Sequence, residues 1–497
     1  MMMIHTKKIN FLLFVILLSS GILSAQQWES PCGTPDVRAE TFKEWHENRP
    51  HIASSRSNDP LFVKMKVHIV GDDNGEGYYP LADLLRSYCK LNQDMATAGI
   101  IMELDPDINY IASSRYNTHD FPTGAQMMSQ YNESGMVNCY IVADPAGNCG
   151  YYSPSTDGVA LSKNCLGPVA ATWAHELGHF FSLPHTFSGW EGITYEYGEQ
   201  APDRVGNRNR LVEYADSSNC NVSGDGLCDT KADYLSFRWG CAGGLSPGDL
   251  VDPTSAVFRA EGANIMSYSR GNCPVIFSEE QIDAMNFDIT RGRLNHISQN
   301  EIPDPINFDP ETFEPVDGFD EEPLQFDDAT IRWESIEGAD EYIVELTQVK
   351  FISTPPDFEF RTTDTMLNLD FLELDVYYDW EVYPFHNADG CSPGSGKNRF
   401  LATQLSSNES PINQNKLTLY PNPVRTGTQI QVSFFSKNGG EMDWELLDAQ
   451  GKIITGAQVN NRPGNNNFDI LAPVHSGLYF LRLITAGEST TKKVIVN

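Results

Sequence analysis

"HELGHFFSLPH", residues 175–185, is the stretch on which the reading of this chain turns. Residues i and i+4 lie one above the other on a helix face, so His175 and His179 can present two imidazoles to one ion. Glu176 is beside the first of them, placed to touch a water on that ion rather than the ion itself. His185 follows beyond a helix end that Pro184 helps to enforce. Three neutral imidazoles leave one position of a tetrahedral zinc open for water, which is what a catalytic site requires. A lone His is usually a satisfied core or surface residue, but three at this spacing with an acid between them are not explained that way. Glu191, Glu196 and Glu199 offer an alternative third ligand, and the spacing favours His185. Ser182 stands where this pattern usually carries Gly, whose freedom at positive φ turns the chain toward the third ligand. Serine there is expected to cost about 1 kcal/mol while removing no ligand.

The rest of the chain gives this motif its setting. Its 497 residues exceed one ordinary core and suggest about three domains. A net charge of -33 makes phosphate backbones and anionic membranes poor partners, so no nucleic acid is expected. Lys7 and Lys8 precede the apolar run "FLLFVILL" and the small residues of "SSGILSAQQ". That is the order of a secretory signal, with Ala25 the last residue removed. No later segment is apolar enough to span a bilayer. Ten cysteines in an exported chain are expected to be disulfide-bonded. All but Cys391 fall before residue 300.

Hydropathy patterning predicts a strand at Leu61–Val70, a helix ending at Gly99, a strand at Val137–Asp144 and a helix over Gly167–Phe181 with Pro168 in its first turn. From Glu301 to Thr330 there are eleven Asp or Glu and no Lys or Arg, the composition of an extended linker. The strand-rich block after it alternates at period two, like a small β-sandwich. Leu372, Tyr378, Trp380 and Val382 in that block are spaced as in a fibronectin type III domain, which it resembles. The last block carries "LTLYPNPV", "WELLDAQGKII" and "SGLYFLRL…KKVIVN" in order, and it resembles the C-terminal sorting domain of type IX secretion cargo. That resemblance implies export through the periplasm, with the type IX machinery as a partner.

Downstream of the His motif, "CNVSGDGLCDTKAD" and then "NIMSYSRGNCPVIFSEEQIDAM" complete a set that resembles the pappalysin family of metzincins over residues 57–300. The resemblance implies an α/β metzincin-like catalytic domain, a Met-turn at Met266 beneath the zinc, and Tyr268 close to it. It further implies a structural calcium at Asp225, Asp229 and Thr230, whose oxygens suit a hard cation. Disulfides Cys220–Cys241 and Cys228–Cys273 are also implied. Arg-preferring relatives carry Asp just before the equivalent of Cys273; Asn272 lacks that charge, which puts a basic specificity pocket in doubt. Cys32 in "SPCGTP" matches relatives whose pro-segment thiol occupies the open zinc position, although it is equally able to form a disulfide. Arg49 and Arg56 are candidate activation points.

The expected architecture is multidomain, the catalytic domain being followed by two all-β sandwich domains. A signal peptide (1–25) and pro-segment (26–56) precede the peptidase domain (57–300). An acidic linker (301–325), a fibronectin type III-like sandwich (326–405), a short linker (406–415) and the sorting domain (416–497) follow it. The function expected is a secreted or cell-surface zinc endopeptidase acting on proteins or peptides, with Glu176 as general base and acid and Tyr268 stabilising the oxyanion. The alternative is a surface adhesin or binding protein whose metal domain is silent.

Overall fold

The computed structural model describes residues 30–36, 38–49, 60–299, 303–349, 356–405, 417–436, 439–448, 451–462, 464–485 and 488–497. The signal peptide, Arg56 and the linker at 406–415 lie outside the described residues. Among those described, no helix is long and apolar enough to cross a membrane. The chain divides into two compact units. One takes residues up to Glu322 with Thr330–Asn368 and Tyr377–Phe400; the other takes Pro323–Ala329, Leu369–Val376 and Leu401–Asn497.

A seven-stranded sheet organises the first unit. Its strands are β1 (Ser30–Cys32), β2 (Leu61–Gly71), β3 (Ile100–Leu104), β4 (Asn109–Ala112), β5 (Val137–Val142), β6 (Asn148–Ser153) and β7 (Gly158–Ser162). They run in the order β1-β6-β7-β5-β2-β3, with β4 also pairing β2. Every pairing is parallel except β6 with β7. β5 and β7 are buried throughout, as strands covered on both faces must be. Helices α1 (Glu40–Asn48), α2 (Leu81–Ala96), α3 (Phe121–Tyr131), α4 (Thr172–Phe180) and α5 (Glu279–Gly292) pack around this sheet. Val63, Met65, Val67, Leu84, Leu91, Leu177, Phe180 and Met285 share one core between them.

The sequence places β2 and α2 closely, but the helix ends earlier than expected: Thr97 is its C-cap, short-range turns tighten residues 97–99, and Gly99, at φ +68°, stands two residues beyond the cap. The helix carrying the His motif starts later than expected. Gly167 at φ +141° and an Ala170-to-Gly167 turn keep 167–171 out of it, so Pro168 is not in its first turn.

Strands Glu341–Gln348, Phe358–Thr362 and Val376–Phe385 pair antiparallel. Tyr378, Trp380 and Val382 are buried at alternate positions of the last, the inward face that the period-two pattern demands. The acidic stretch is not only a linker: Pro315–Asp317 pairs with Ala329–Trp333, and Glu322–Gln325 is also a strand. Backbone pairing tolerates those acids because their side chains face water or a cation, as in the Asp317–Arg332 pair at 2.7 Å.

Within this unit the sandwich residues are continuous with the sheet core, to which Ile343, Tyr383 and Phe385 contribute. Tyr88 Oη and Leu104 N both donate to the Asn387 carbonyl at 2.7 Å. Cys89 and Cys391 close a disulfide across 302 residues of chain. Cys391, the outlier in the sequence, is therefore the staple between α2 and the strand block.

In the second unit, Thr418–Tyr420, Gln429–Ser436 and Gly464–Leu471 form a three-stranded sheet, and four strands between Gly440 and Val496 form another. Ile430, Val432, Leu446, Leu481, Leu483 and Val494 fill its own core.

Removing the Cys89–Cys391 link by Cys89→Ser with Cys391→Ser is expected to cost about 2–4 kcal/mol of unfolding free energy in the first unit. Calorimetry checks this, with an unchanged transition contradicting the staple role.

Candidate metal centre

Helix α4 carries His175, Glu176 and His179 on consecutive turns, all of them buried. Its exit is the awkward step. Ser182 takes φ +80°, its N–H donating to the His179 carbonyl at 3.0 Å while Leu183 N donates to Gly178 O at 2.9 Å. This is the left-handed turn that Gly usually makes, and it brings His185 back over the helix.

The three imidazoles then face one another. His179 Nε2 and His185 Nε2 are 3.0 Å apart, and the His175 ring centroid lies 4.9 Å and 5.3 Å from the other two. Each ring is oriented through its other nitrogen. His175 Nδ1 meets the Ile265 carbonyl at 2.7 Å, His179 Nδ1 the Leu183 carbonyl at 2.8 Å, and His185 Nδ1 the Glu191 carboxylate at 3.4 Å. A proton placed on Nδ1 by those acceptors leaves the Nε2 lone pair for an ion, the usual arrangement behind ligating histidines. Burial holds His175 at about 4 and takes His179 and His185 well below the ordinary imidazole range, so all three are neutral. His175 Nε2 is buried with no hydrogen-bond partner among the described residues. An orphaned lone pair of that kind is costly unless something accepts it.

Cys32 completes the group: its sulfur and one nitrogen from each His all lie within 4.8 Å of one another. Three neutral imidazoles and a thiol fit a tetrahedral zinc ion. Burial and the Glu176 carboxylate push the Cys32 thiol well up, an order that coordination to a cation reverses. Cys32 and Cys139 are the two cysteines outside the disulfides.

Strand β1 delivers this thiol. It pairs parallel with β6, Cys32 opposite Gly150, and Gly33 N donates to Gly150 O at 2.8 Å. A side chain at Gly150 would meet Glu176 Cγ at 2.8 Å, so only glycine leaves room for the acid there. Glu176 Oε2 accepts from Thr34 Oγ1 at 2.9 Å and from Cys32 Sγ at 3.4 Å. Burial pushes this carboxyl up to about 8. Farther along, Asp36 pairs with Arg210 at 2.7 Å, Arg38 donates to the Gly224 carbonyl, and Phe42 and Trp45 of α1 are buried in the main core. Arg49 is itself engaged, with Glu280 at 3.0 Å.

Beneath the centre, Met266 is fully buried, and a Cβ on Gly178 would lie 2.3 Å from its sulfur. The glycine inside the His motif is thus what lets α4 and the Met266 segment approach. Tyr268 packs 5.7 Å from His175 and 5.1 Å from His185, its hydroxyl donating to the Cys32 carbonyl at 3.3 Å. Asp233, which the sequence did not single out, accepts from Thr186 and Ser267, each at 2.8 Å, and ties the third His to the Met266 segment. Thr34 and Glu191 were likewise not assigned these roles, because each acts through a contact between distant segments.

The remaining expectations divide. Asp225 and Thr230 come together, Thr230 Oγ1 donating to Asp225 Oδ2 at 2.9 Å. Asp229 instead accepts from Ser278 Oγ and Glu280 N, each at 2.7 Å, at the start of α5. The acid beside Asp225 is Glu213, buried, with neither carboxylate oxygen hydrogen-bonded among the described residues. Burial, then the Asp225 charge, pushes Glu213 up to about 9. The expected pairs Cys220–Cys241 and Cys228–Cys273 are corrected to Cys220–Cys228 and Cys241–Cys273. A short helical turn at Cys220–Val222 folds the chain back and sets the Cα atoms of Cys220 and Cys228 5.1 Å apart, while pairing of Trp239–Gly240 with Ser269–Arg270 brings Cys241 to Cys273. Cys149 and Cys165 form the remaining link. Asn272 is exposed and outside the wall of the cavity that adjoins His175 and Glu176, because the Gly271 turn carries it away.

The geometry therefore defines a buried three-histidine, one-thiol centre with an acid beside it. Among known proteins, residues 418–497 match the family model of the secretion system C-terminal sorting domain. A sorting domain at this position marks the chain as secreted or cell-surface. No curated protein matches the chain. Similar solved structures include a promirolysin variant from Tannerella forsythia, 17% identical over 53% of this chain and 96% of that one, TM-score 0.38. Mature mirolysin from the same organism, in complex with a cleaved peptide, is 17% identical over 48% and 96%, TM-score 0.36. A two-domain fibronectin type III segment of chicken tenascin is 12% identical over 37% and 97%, TM-score 0.14. Likenesses at these scores do not carry the reading of the site, which stands on its own residues.

Ser182→Gly should raise stability by about 1 kcal/mol by relieving the left-handed turn. Gly178→Ala should lower it by about 1–3 kcal/mol through the overlap with Met266. Denaturant melts of both variants test the pair, and equal midpoints would contradict it.

Proposed function

We propose that this chain is a secreted zinc-dependent endopeptidase, of the pappalysin type of metzincin, kept latent by Cys32. The observation that carries the reading is the convergence of three neutral, Nδ1-anchored imidazoles with the Glu176 carboxyl beside them. His175, His179 and His185 would hold the ion through Nε2. Bound there, zinc would supply Lewis-acid polarisation of a peptide carbonyl and acidification of water.

The chain's own residues do the rest. Glu176, freed from Thr34 and Cys32, takes a proton from the attacking water and returns it to the leaving amine nitrogen. Its buried surroundings favour a carboxyl poised near neutrality, as that exchange needs. Tyr268 donates its phenolic proton as a hydrogen bond to the oxyanion once the Cys32 carbonyl is gone. Met266 supports the ring of His residues by packing alone.

The pro-segment would block this chemistry twice: with the ion bound, the Cys32 thiol would hold the position left open by the three His, and β1 lies along the edge of β6 where an extended peptide would add as a strand. A calcium ion at Glu213, Asp225 and Thr230 is part of the same proposal, with Glu213 in place of Asp229. Two buried carboxylates side by side need a cation to stay charged.

Glu176→Ala is expected to keep stoichiometric zinc and lose nearly all hydrolysis of a denatured protein substrate, roughly 10³-fold or more. Undiminished cleavage by that variant, or cleavage insensitive to chelator, overturns the assignment. Cys32→Ala should speed the appearance of activity in the full chain; a stable, silent precursor would rule out latency through this thiol. Calcium should raise the melting temperature of the wild-type chain and not that of Glu213→Gln, and an equal response in both would remove the calcium site.

A further inference from the structure

A cavity of about 220 Å³ opens beside His175 and Glu176, between α4 and the segment 265–274. It adjoins the reacting centre directly, so a side chain flanking a bond cleaved there would enter it. Its only acid is Glu176, and its only cationic side chains are Arg238 and Arg270. Arg270 is exposed and Arg238 is only partly open to solvent, and neither makes an ion pair among the described residues. The contacts of Arg238 are the sulfurs of the Cys149–Cys165 link, at 2.5 Å and 4.0 Å, which pin the guanidinium at the wall without neutralising it. Its charged neighbour is the other guanidinium: burial and then Arg270 lower the Arg238 pKa. Two like charges held close together are unfavourable unless an anion visits them.

The setting sharpens this. The chain carries 34 basic residues against 67 acidic ones, so a site with two uncompensated arginines runs against the molecule's overall field. Asn272, two residues beyond Arg270 in the chain, is uncharged and exposed, and so brings no acid to them. A guanidinium matches a carboxylate with two parallel hydrogen bonds, which a lysine or an apolar side chain cannot supply.

We infer that Arg238 and Arg270 make this cavity an acidic-residue subsite, so that the bonds cleaved are those flanked by Glu or Asp in the peptide substrate. The inference rests on the endopeptidase reading above and names its substrate class. A basic residue in the same position is rejected by charge, which adds discrimination beyond the attraction itself.

The test uses the zinc-loaded full chain carrying Cys32→Ala with a peptide library, each cleavage site being read by mass spectrometry. It is followed by kcat/KM for matched peptides bearing Glu, Leu or Lys at the flanking position. Glu is expected to exceed Lys by at least about tenfold. Arg238→Gln and, separately, Arg270→Gln should each shrink that ratio, and Arg238→Glu should invert it. Cleavage that shows no preference, or prefers Lys or Arg, overturns the subsite while leaving the peptidase reading intact. Cleavage of no peptide at all, by this chain or after limited proteolysis has released the segment before residue 57, removes the peptidase reading and the subsite with it. A Glu preference that survives all three substitutions shows that these arginines do not set it and overturns the proposal.

Discussion

Three buried imidazoles with their Nε2 atoms turned toward one another are the constraint around which the first unit is built. Left to themselves, three such rings would rotate apart or find water. They stay because each Nδ1 is hydrogen-bonded by a different piece of chain: the Met266 segment, the helix exit, and the loop carrying Glu191. Neighbouring oddities follow from the same demand. Gly178 has no side chain because Met266 must come up beneath it, Gly150 has none because Glu176 must lie against β6, and Ser182 accepts a left-handed turn because His185 must fold back. Strain and lost packing at those three positions are offset by one well-defined centre.

The segment of residues 30–49 meets this centre with an unusual distribution of contacts. Its head is one short strand and one thiol, while its hold is spread over the Asp36–Arg210 pair, the Arg38 hydrogen bond and the burial of Phe42 and Trp45. Most of the apolar burial therefore lies away from the chemistry, and the part that enters the site is small and polar. Such a division suits the removable, latency-conferring segment proposed above.

Much of this was legible in the sequence. The three His, Glu176, Met266 and Tyr268 could be named because local rules place them: helical periodicity for the first, and short motifs for the rest. Even the positive φ of Ser182 followed from a missing glycine. Contacts between segments far apart in the chain were not legible, because no local pattern encodes them. Asp233 acts only once Thr186 and Ser267 meet it, Thr34 only once β1 lies along β6, and Glu213 only once its loop has folded back beside Asp225. Asp229, grouped with Asp225 and Thr230 through the family resemblance, accepts two hydrogen bonds at the start of α5, contacts that no local pattern announces. The disulfides erred for a related reason. Alternating order in sequence was taken for crossing pairs, whereas a tight turn closes the first pair and the pairing of Trp239–Gly240 with Ser269–Arg270 brings the second together. The strands within the acidic stretch were hidden because charge says what faces water, not what the backbone pairs with.

Zinc K-edge X-ray absorption on the full-length wild-type chain, with Cys32→Ala beside it, addresses the centre most directly. The account predicts three nitrogen scatterers and one sulfur at about 2.3 Å in the wild type, the sulfur being replaced by oxygen or nitrogen in the variant. A first shell without sulfur in the wild type, or one unchanged by the substitution, would contradict it.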